Sequence, residues 1–167
     1  MHKEATKMLW FLRRHGPWIS SVAIGLLLVA AGTFFIVKGA STRNELRNQL
    51  AAEQIITSST ASIPGVLVQD AATAQSQADL IKEHTLGTWG PYSSLDRDDP
   101  RRASFIDGVT LRTSLNLAVM GFGLTDMAIG AGILVLIAGA ATVLLAAPGL
   151  YLLAGMVVPK RQRESSA

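Results

Sequence analysis

The chain has 167 residues, 49% of them hydrophobic and 16% charged, with no cysteine. That balance excludes an ordinary soluble composition, and the missing cysteine excludes disulfides, thiolate zinc sites and a cysteine nucleophile. The net charge of +3 is small, so where the charges sit says more than their sum.

Residues 1–17 form a basic tail with Lys3, Lys7, Arg13 and Arg14 against Glu4. Trp18 to Val37 follows as twenty residues without a charge. At about 1.5 Å per residue this run spans a hydrocarbon core, and it is predicted as the first transmembrane helix. Pro17 suits the first helical position, where an N–H is not needed. Trp10 and Trp18 fit the headgroup level. Arg13-Arg14 resembles a twin-arginine signal, but the apolar run is longer than a cleavable one, so an uncleaved anchor is expected.

Residues 38–112 carry eight Lys/Arg and nine Asp/Glu. Asn44 to Gln54 is rich in helix formers and should prolong the first helix. Ile56 to Asp70 breaks helical spacing with β-branched residues, serines and Pro64-Gly65, and reads as an extended linker. Asp70 is placed to cap a helix running from Ala71 to Leu86, with Gly87 as its stop. The apolar positions Ala71, Ala74, Ala78 and Ile81 are mostly small, which suits close packing against another helix. Trp89 and Tyr92 lie in a loop before the charged stretch SSLDRDDPRR, Ser93 to Arg102. There Asp99-Pro100 matches an N-cap and first helical residue.

From Pro100 the positions Ile106, Val109, Thr113, Leu117, Met120 and Leu124 keep helical spacing. Leu115 to Val158 holds a single charge, Asp126. The middle of that stretch has no Pro, Asn or Asp to turn on. Pro148-Gly149 lies too close to Pro159 for another crossing. Residues 113–158 therefore read as one long helix entering the membrane, with a kink at Pro148 left open. Residues 159–167 form a second basic tail with Lys160, Arg161 and Arg163. Two basic tails place both termini in the cytoplasm and require an even number of spans. The expected fold is an all-α, multi-pass plasma-membrane protein: two transmembrane helices, N-in and C-in, with a small helical extracytoplasmic segment.

Three features are candidate sites. Asp96, Asp98 and Asp107 imitate an EF-hand spacing, but Arg101 stands at the glycine position, and Arg97, Arg101 and Arg102 oppose a cation. His84 has no acid three or four residues before it, so it reads as solvent-facing rather than as a general base. Asp126 reads as interfacial, about 15 Å outside a boundary near Leu136; a deeper helix would make it an intramembrane acid. No cofactor, metal or catalytic motif is expected, and nothing points to nucleic acid. Asp96, Arg97, Asp98, Arg101, Arg102, Arg112 and Asp126 remain as candidate partner contacts. Gly121, Gly123, Gly130, Gly132 and Gly139 offer a helix-packing surface, although no G-x-x-x-G occurs.

Four stretches carry a resemblance: LAAEQI (Leu50 to Ile55), QADLIKEHTL (Gln77 to Leu86), YSSLDRDDPRR (Tyr92 to Arg102) and LRTSLNLAVMGFG (Leu111 to Gly123). Across Trp18 to Ala147 the chain resembles an uncharacterised family of small actinobacterial membrane proteins often labelled aromatic-ring-opening dioxygenases. The resemblance implies two membrane helices with an external segment and supplies no activity. The label also lacks its chemistry, because no two-His-one-carboxylate iron set is evident. The expected role is a non-catalytic accessory or scaffold subunit in contact with membrane lipids and other membrane subunits. Envelope lipid transport or a respiratory assembly are the candidate settings. The alternative is a homo-oligomeric lipid-binding or sensing protein.

Overall fold

A computed structural model describes residues 2–157. The second basic tail lies outside the described residues. The described chain is helical, with α1 at His2–Ala52, α2 at Ala71–Lys82, α3 at Arg101–Ala141 and α4 at Ala147–Val157. Strand pairing among the described residues is limited to one isolated antiparallel bridge, Ile56 with Leu67. Two helical stretches, Arg14–Ala52 and Arg101–Met156, are long and apolar enough to cross a membrane. Only 17% and 11% of their most apolar windows are buried. A soluble protein's core helix would show the opposite.

Helix α1 does not begin at Pro17, as the sequence suggested, but runs through it from His2. One proline removes one hydrogen bond, and the helix formers on either side outweigh that loss. Pro148 acts differently. Ahead of it, Thr142–Ala146 forms a π-helical turn in which the Ala147 N–H donates to the Thr142 carbonyl. The widened turn moves carbonyls off the proline ring, so α3 passes into α4 through a bulge instead of stopping.

The chain divides into two compact units: Met1–Ile36 with Gly130–Ala167, and Val37–Ile129. In the first, the two apolar stretches meet through glycine. A Cβ built on Gly32 would lie 2.6 Å from the Leu136 nitrogen and 2.7 Å from the Gly132 oxygen. On Gly139 it would lie 2.7 Å from the Val29 nitrogen and 2.8 Å from the Gly25 oxygen. The two backbones touch, and no side chain fits between them. Gly25 and Gly32 are seven residues apart, as are Gly132 and Gly139, so each pair recurs on one helical seam. Farther along this unit, the Trp18 and Tyr151 rings pack edge to face with centroids 5.9 Å apart, and Trp18 Nε1 donates to His15 Nδ1 at 3.2 Å.

The second unit has a small core of Val68, Ala74, Ala78 and Leu115, with Ile55, Ile81 and Val119 packed around it. The stretch read as a linker is a folded hairpin. Thr57 N–H donates to the Val66 carbonyl at 2.8 Å, and Val68 N–H donates to that of Ile55 at 2.8 Å. Two side chains of α2 hold it down. Ser76 Oγ accepts from Ile63 N–H at 2.9 Å, and Gln77 Oε1 accepts from Ser58 N–H at 3.0 Å. Gly65 turns the hairpin at φ +67°.

Asp70 caps α2 as expected, its carboxylate accepting from Thr73 N–H at 2.8 Å. That bond, the largest cause, holds the Asp70 carboxyl below its usual range. The helical turns after α2 do not stop at Gly87, which lies inside the π-helical turn Glu83–Gly87. The chain leaves them at Gly90, where φ is +74° and the Gly90 N–H closes back on the Leu86 carbonyl at 3.1 Å. The positive φ needs glycine there, and not at position 87.

Candidate functional site

The charged stretch between Tyr92 and Arg102 is largely spent on structure. Asp99 Oδ1 accepts from Arg101 N–H at 2.8 Å, capping α3. The Arg101 guanidinium then folds back onto the same carboxylate. Arg102 donates to the Leu95 carbonyl at 2.7 Å and lies over the Tyr92 ring at 4.1 Å. Tyr92 in turn packs on Phe105, centroids 5.6 Å apart. Two of the expected partner-contact arginines are thus bound to their own chain. Asp96, Arg97 and Asp98 remain exposed in the turn. Among the described residues, no three His, Asp or Glu side chains group as metal ligands, and His84 is exposed.

The Arg101 side chain, then its N–H, pull the Asp99 carboxyl down to about 2. An unfolded aspartate titrates near about 3.9. A group with a depressed folded pKa stabilises above its unfolded pKa, and that contribution is lost as pH falls towards the folded one. Stability of the second unit should therefore decline between about pH 4 and pH 2, and Asp99→Asn should flatten part of that decline. Circular dichroism melts across pH 5 to 2 check this; equal slopes for both proteins would contradict it.

Asp126 pairs with Arg43 of α1, Nη1 to Oδ1 at 3.5 Å, with both side chains about half exposed (52% for Arg43, 56% for Asp126). Arg43 was not singled out from the sequence, although it stands six residues after the uncharged run. An exposed pair of this kind contributes at most about 1 kcal/mol. Asp126→Asn should accordingly lower the melting temperature only slightly, and a double-mutant cycle with Arg43→Gln should give a coupling under about 1 kcal/mol.

Of the glycines proposed for packing, Gly121 faces Leu46, which a Cβ would meet at 3.0 Å. Gly123 and Gly130 have nothing within 4 Å of a built Cβ. The close helix contacts fall on Gly132 and Gly139 and on their counterparts Gly25 and Gly32 in α1, which a search for four-residue spacing does not find. Arg112 Nη1 is buried without a hydrogen-bond partner.

The surface that stands out is the outer face of α3 in the second unit. Leu115, Ala118, Phe122 and Thr125 are buried. At 100° per residue they lie on one side of the helix. The opposite side carries Leu117, Met120, Leu124 and Met127, each between 61% and 66% exposed. Full burial of such a side chain is worth about 1.5–3 kcal/mol. A shallow groove of about 310 Å³, lined by Tyr92, Phe105, Ile106, Val109 and Thr110, extends this apolar surface towards the start of α3.

Alongside, α1 runs antiparallel to α3, with Gly39 against Ile129 and Thr125, and Leu46 against Gly121. In that same stretch α1 exposes Lys38, Arg43, Glu45, Arg47 and Asn48. The leucines and methionines of α3 form an uncovered apolar face beside this charged stretch of α1. No protein-family model matches the sequence, and no curated protein or solved structure matches it.

Proposed function

We propose that the chain is a two-span plasma-membrane protein with both termini in the cytoplasm, acting as a non-catalytic accessory or scaffold subunit of a larger complex. The observation that carries this reading is the exposed face Leu117, Met120, Leu124 and Met127 beside the charged stretch of α1. An apolar surface of that kind, at a level where its neighbour is charged, is a docking surface for protein. The glycine-to-glycine contact of the two apolar stretches supports a fixed helical hairpin as its base. Basic residues at both chain ends support the orientation. Envelope lipid transport and respiratory assemblies are the settings in which such a subunit is to be sought.

Affinity purification from native membranes in mild detergent tests the reading. Other membrane subunits should be recovered in stoichiometric amount with the chain. Recovery of the chain alone would overturn it. A second reading, a homo-oligomeric lipid-binding or sensing protein, draws support from the apolar groove at Tyr92 and Phe105. Native mass spectrometry showing no retained lipid on the purified oligomer would count against that alternative.

A further inference from the structure

One charged side chain stands among the apolar residues that α3 turns inward. Arg112 lies between Gly108, where a built Cβ would meet Thr85 at 2.8 Å and Ile81 at 3.5 Å, and Leu115, which packs with Ala74 and Ala78. It is about one turn from each, so all three face α2 and the helical turn that follows it. Phe105 and Val119, seven residues to either side of Arg112, belong to the same side of α3. Phe105 is buried, and Val119 packs against the core. In this setting Arg112 Nη1 is sealed from solvent and has no hydrogen-bond acceptor. Leaving a donor of a charged group buried and unpaired is costly. An apolar side chain of similar volume would carry no such cost.

The acids around it are turned elsewhere. Asp79 of α2 is exposed and accepts from Gln75 Nε2 at 2.9 Å. Glu83 and Asp107 are exposed as well, and among the described residues Arg112 forms no ion pair. The residue as a whole is only partly buried, so a group from outside can reach the guanidinium. Asn116, four residues on and exposed, lies on the same side of α3 and adds an amide donor beside it. A guanidinium presents its donors as a flat fork that fits the paired oxygens of a carboxylate or phosphate. We propose that Arg112 is an oxyanion site. Its ligand is a carboxylate or phosphate group from outside the chain, either a small free anion or the headgroup of an anionic lipid.

The test follows thermal unfolding of the full chain in a non-ionic detergent by circular dichroism, at fixed pH and ionic strength. Chloride is compared with inorganic phosphate, with acetate, and with mixed micelles containing phosphatidylglycerol. The parent should melt several degrees higher with at least one of the three, because a ligand that binds only the folded state raises the midpoint. A rise with phosphate or acetate identifies a small free anion, and a rise with phosphatidylglycerol alone identifies a lipid headgroup. Arg112→Met should melt above the parent in chloride, since it has no unpaired charge to bury, and should lose the ligand-dependent rise. Arg112→Lys keeps the charge without the fork and should retain only part of that rise. No rise in the parent with any of the three would overturn the site. An equal rise in Arg112→Met would do the same by placing the anion elsewhere. So would a lower midpoint for Arg112→Met in chloride, which would mean that the guanidinium is already satisfied within the fold.

Discussion

Replacing Gly32 with leucine is expected to separate the two apolar helices of the first unit. The effect follows from what surrounds the glycine. A single Cβ at position 32 already falls 2.6 Å from the Leu136 nitrogen and 2.9 Å from its Cα, and real carbon atoms do not approach backbone so closely. These neighbours are main-chain atoms and cannot swing aside as a flexible side chain would. The helices must move apart as bodies, and every other close contact on the seam opens with them, including Gly139 on Val29 and Gly25. Packing is the main attraction between helices in lipid, because there is no hydrophobic gain in leaving one apolar medium for another. A loss of at least about 2–3 kcal/mol is expected, at or above the upper end of ordinary overpacking. Thermal unfolding in detergent, together with crosslinking of a thiol pair placed across the seam, measures it. The control is Gly155→Ala, where nothing lies within 4 Å and the better helix former should be neutral or gain about 0.5–1 kcal/mol. Equal melting of the two variants would mean that the seam does not hold the hairpin.

Much of this architecture is legible in the sequence because it depends on local terms. The uncharged run Trp18 to Val37, the Asp70 cap and the Asp99-Pro100 start are each set by a few neighbouring residues, and the corresponding helices are present. The periodic positions from Ile106 to Leu124 gave the helix α3 but not its inward face. Leu117, Met120 and Leu124 turned out exposed, while Leu115, Ala118 and Phe122 line the interior. Both sets are apolar with the same spacing, so periodicity alone has no means of choosing between them.

What escaped the sequence reading depends on contacts distant along the chain. The residues from Ile56 to Leu67 fold as a hairpin because Ser76 and Gln77, on a later helix, accept their backbone N–H groups. No composition rule reports such a pairing. The α3 side of the glycine seam, Gly132 and Gly139, is legible as a small-residue surface, but its counterparts Gly25, Gly32 and Gly39 recur every seven residues, an interval to which a four-residue motif is blind. Gly123 and Gly130 share it too and yet have open space around them. Which row of glycines a helix uses is decided by its partner, and the partner of α3 in this chain is α1.

Leu115→Ala is expected to unfold much of the second unit while sparing the first. Leu115 is 1% exposed and touches a core whose other fully enclosed members are Val68, Ala74 and Ala78. Two of those are alanines, so Leu115 and Val68 supply most of the enclosed apolar volume. Truncating a buried leucine to alanine costs about 2–5 kcal/mol, more where the surroundings cannot collapse into the cavity. Collapse is hindered here, because the hairpin above the core is pinned to α2 by Ser76 and Gln77 and α3 is held against α1 at Gly39. A core this small has little reserve against such a loss. Amide exchange should accelerate first at the backbone bonds of the hairpin, Thr57 to Val66 and Val68 to Ile55, whose protection depends on that core. Limited proteolysis should cut between Ile56 and Asp70 in the variant and not in the parent. Leu117→Ala removes the same atoms two residues away on the outer face, and in the isolated monomer it should leave exchange and cleavage unchanged. Matching losses for Leu115→Ala and Leu117→Ala would mean that α3 presents its two faces the other way round, with Leu117, Met120 and Leu124 inside.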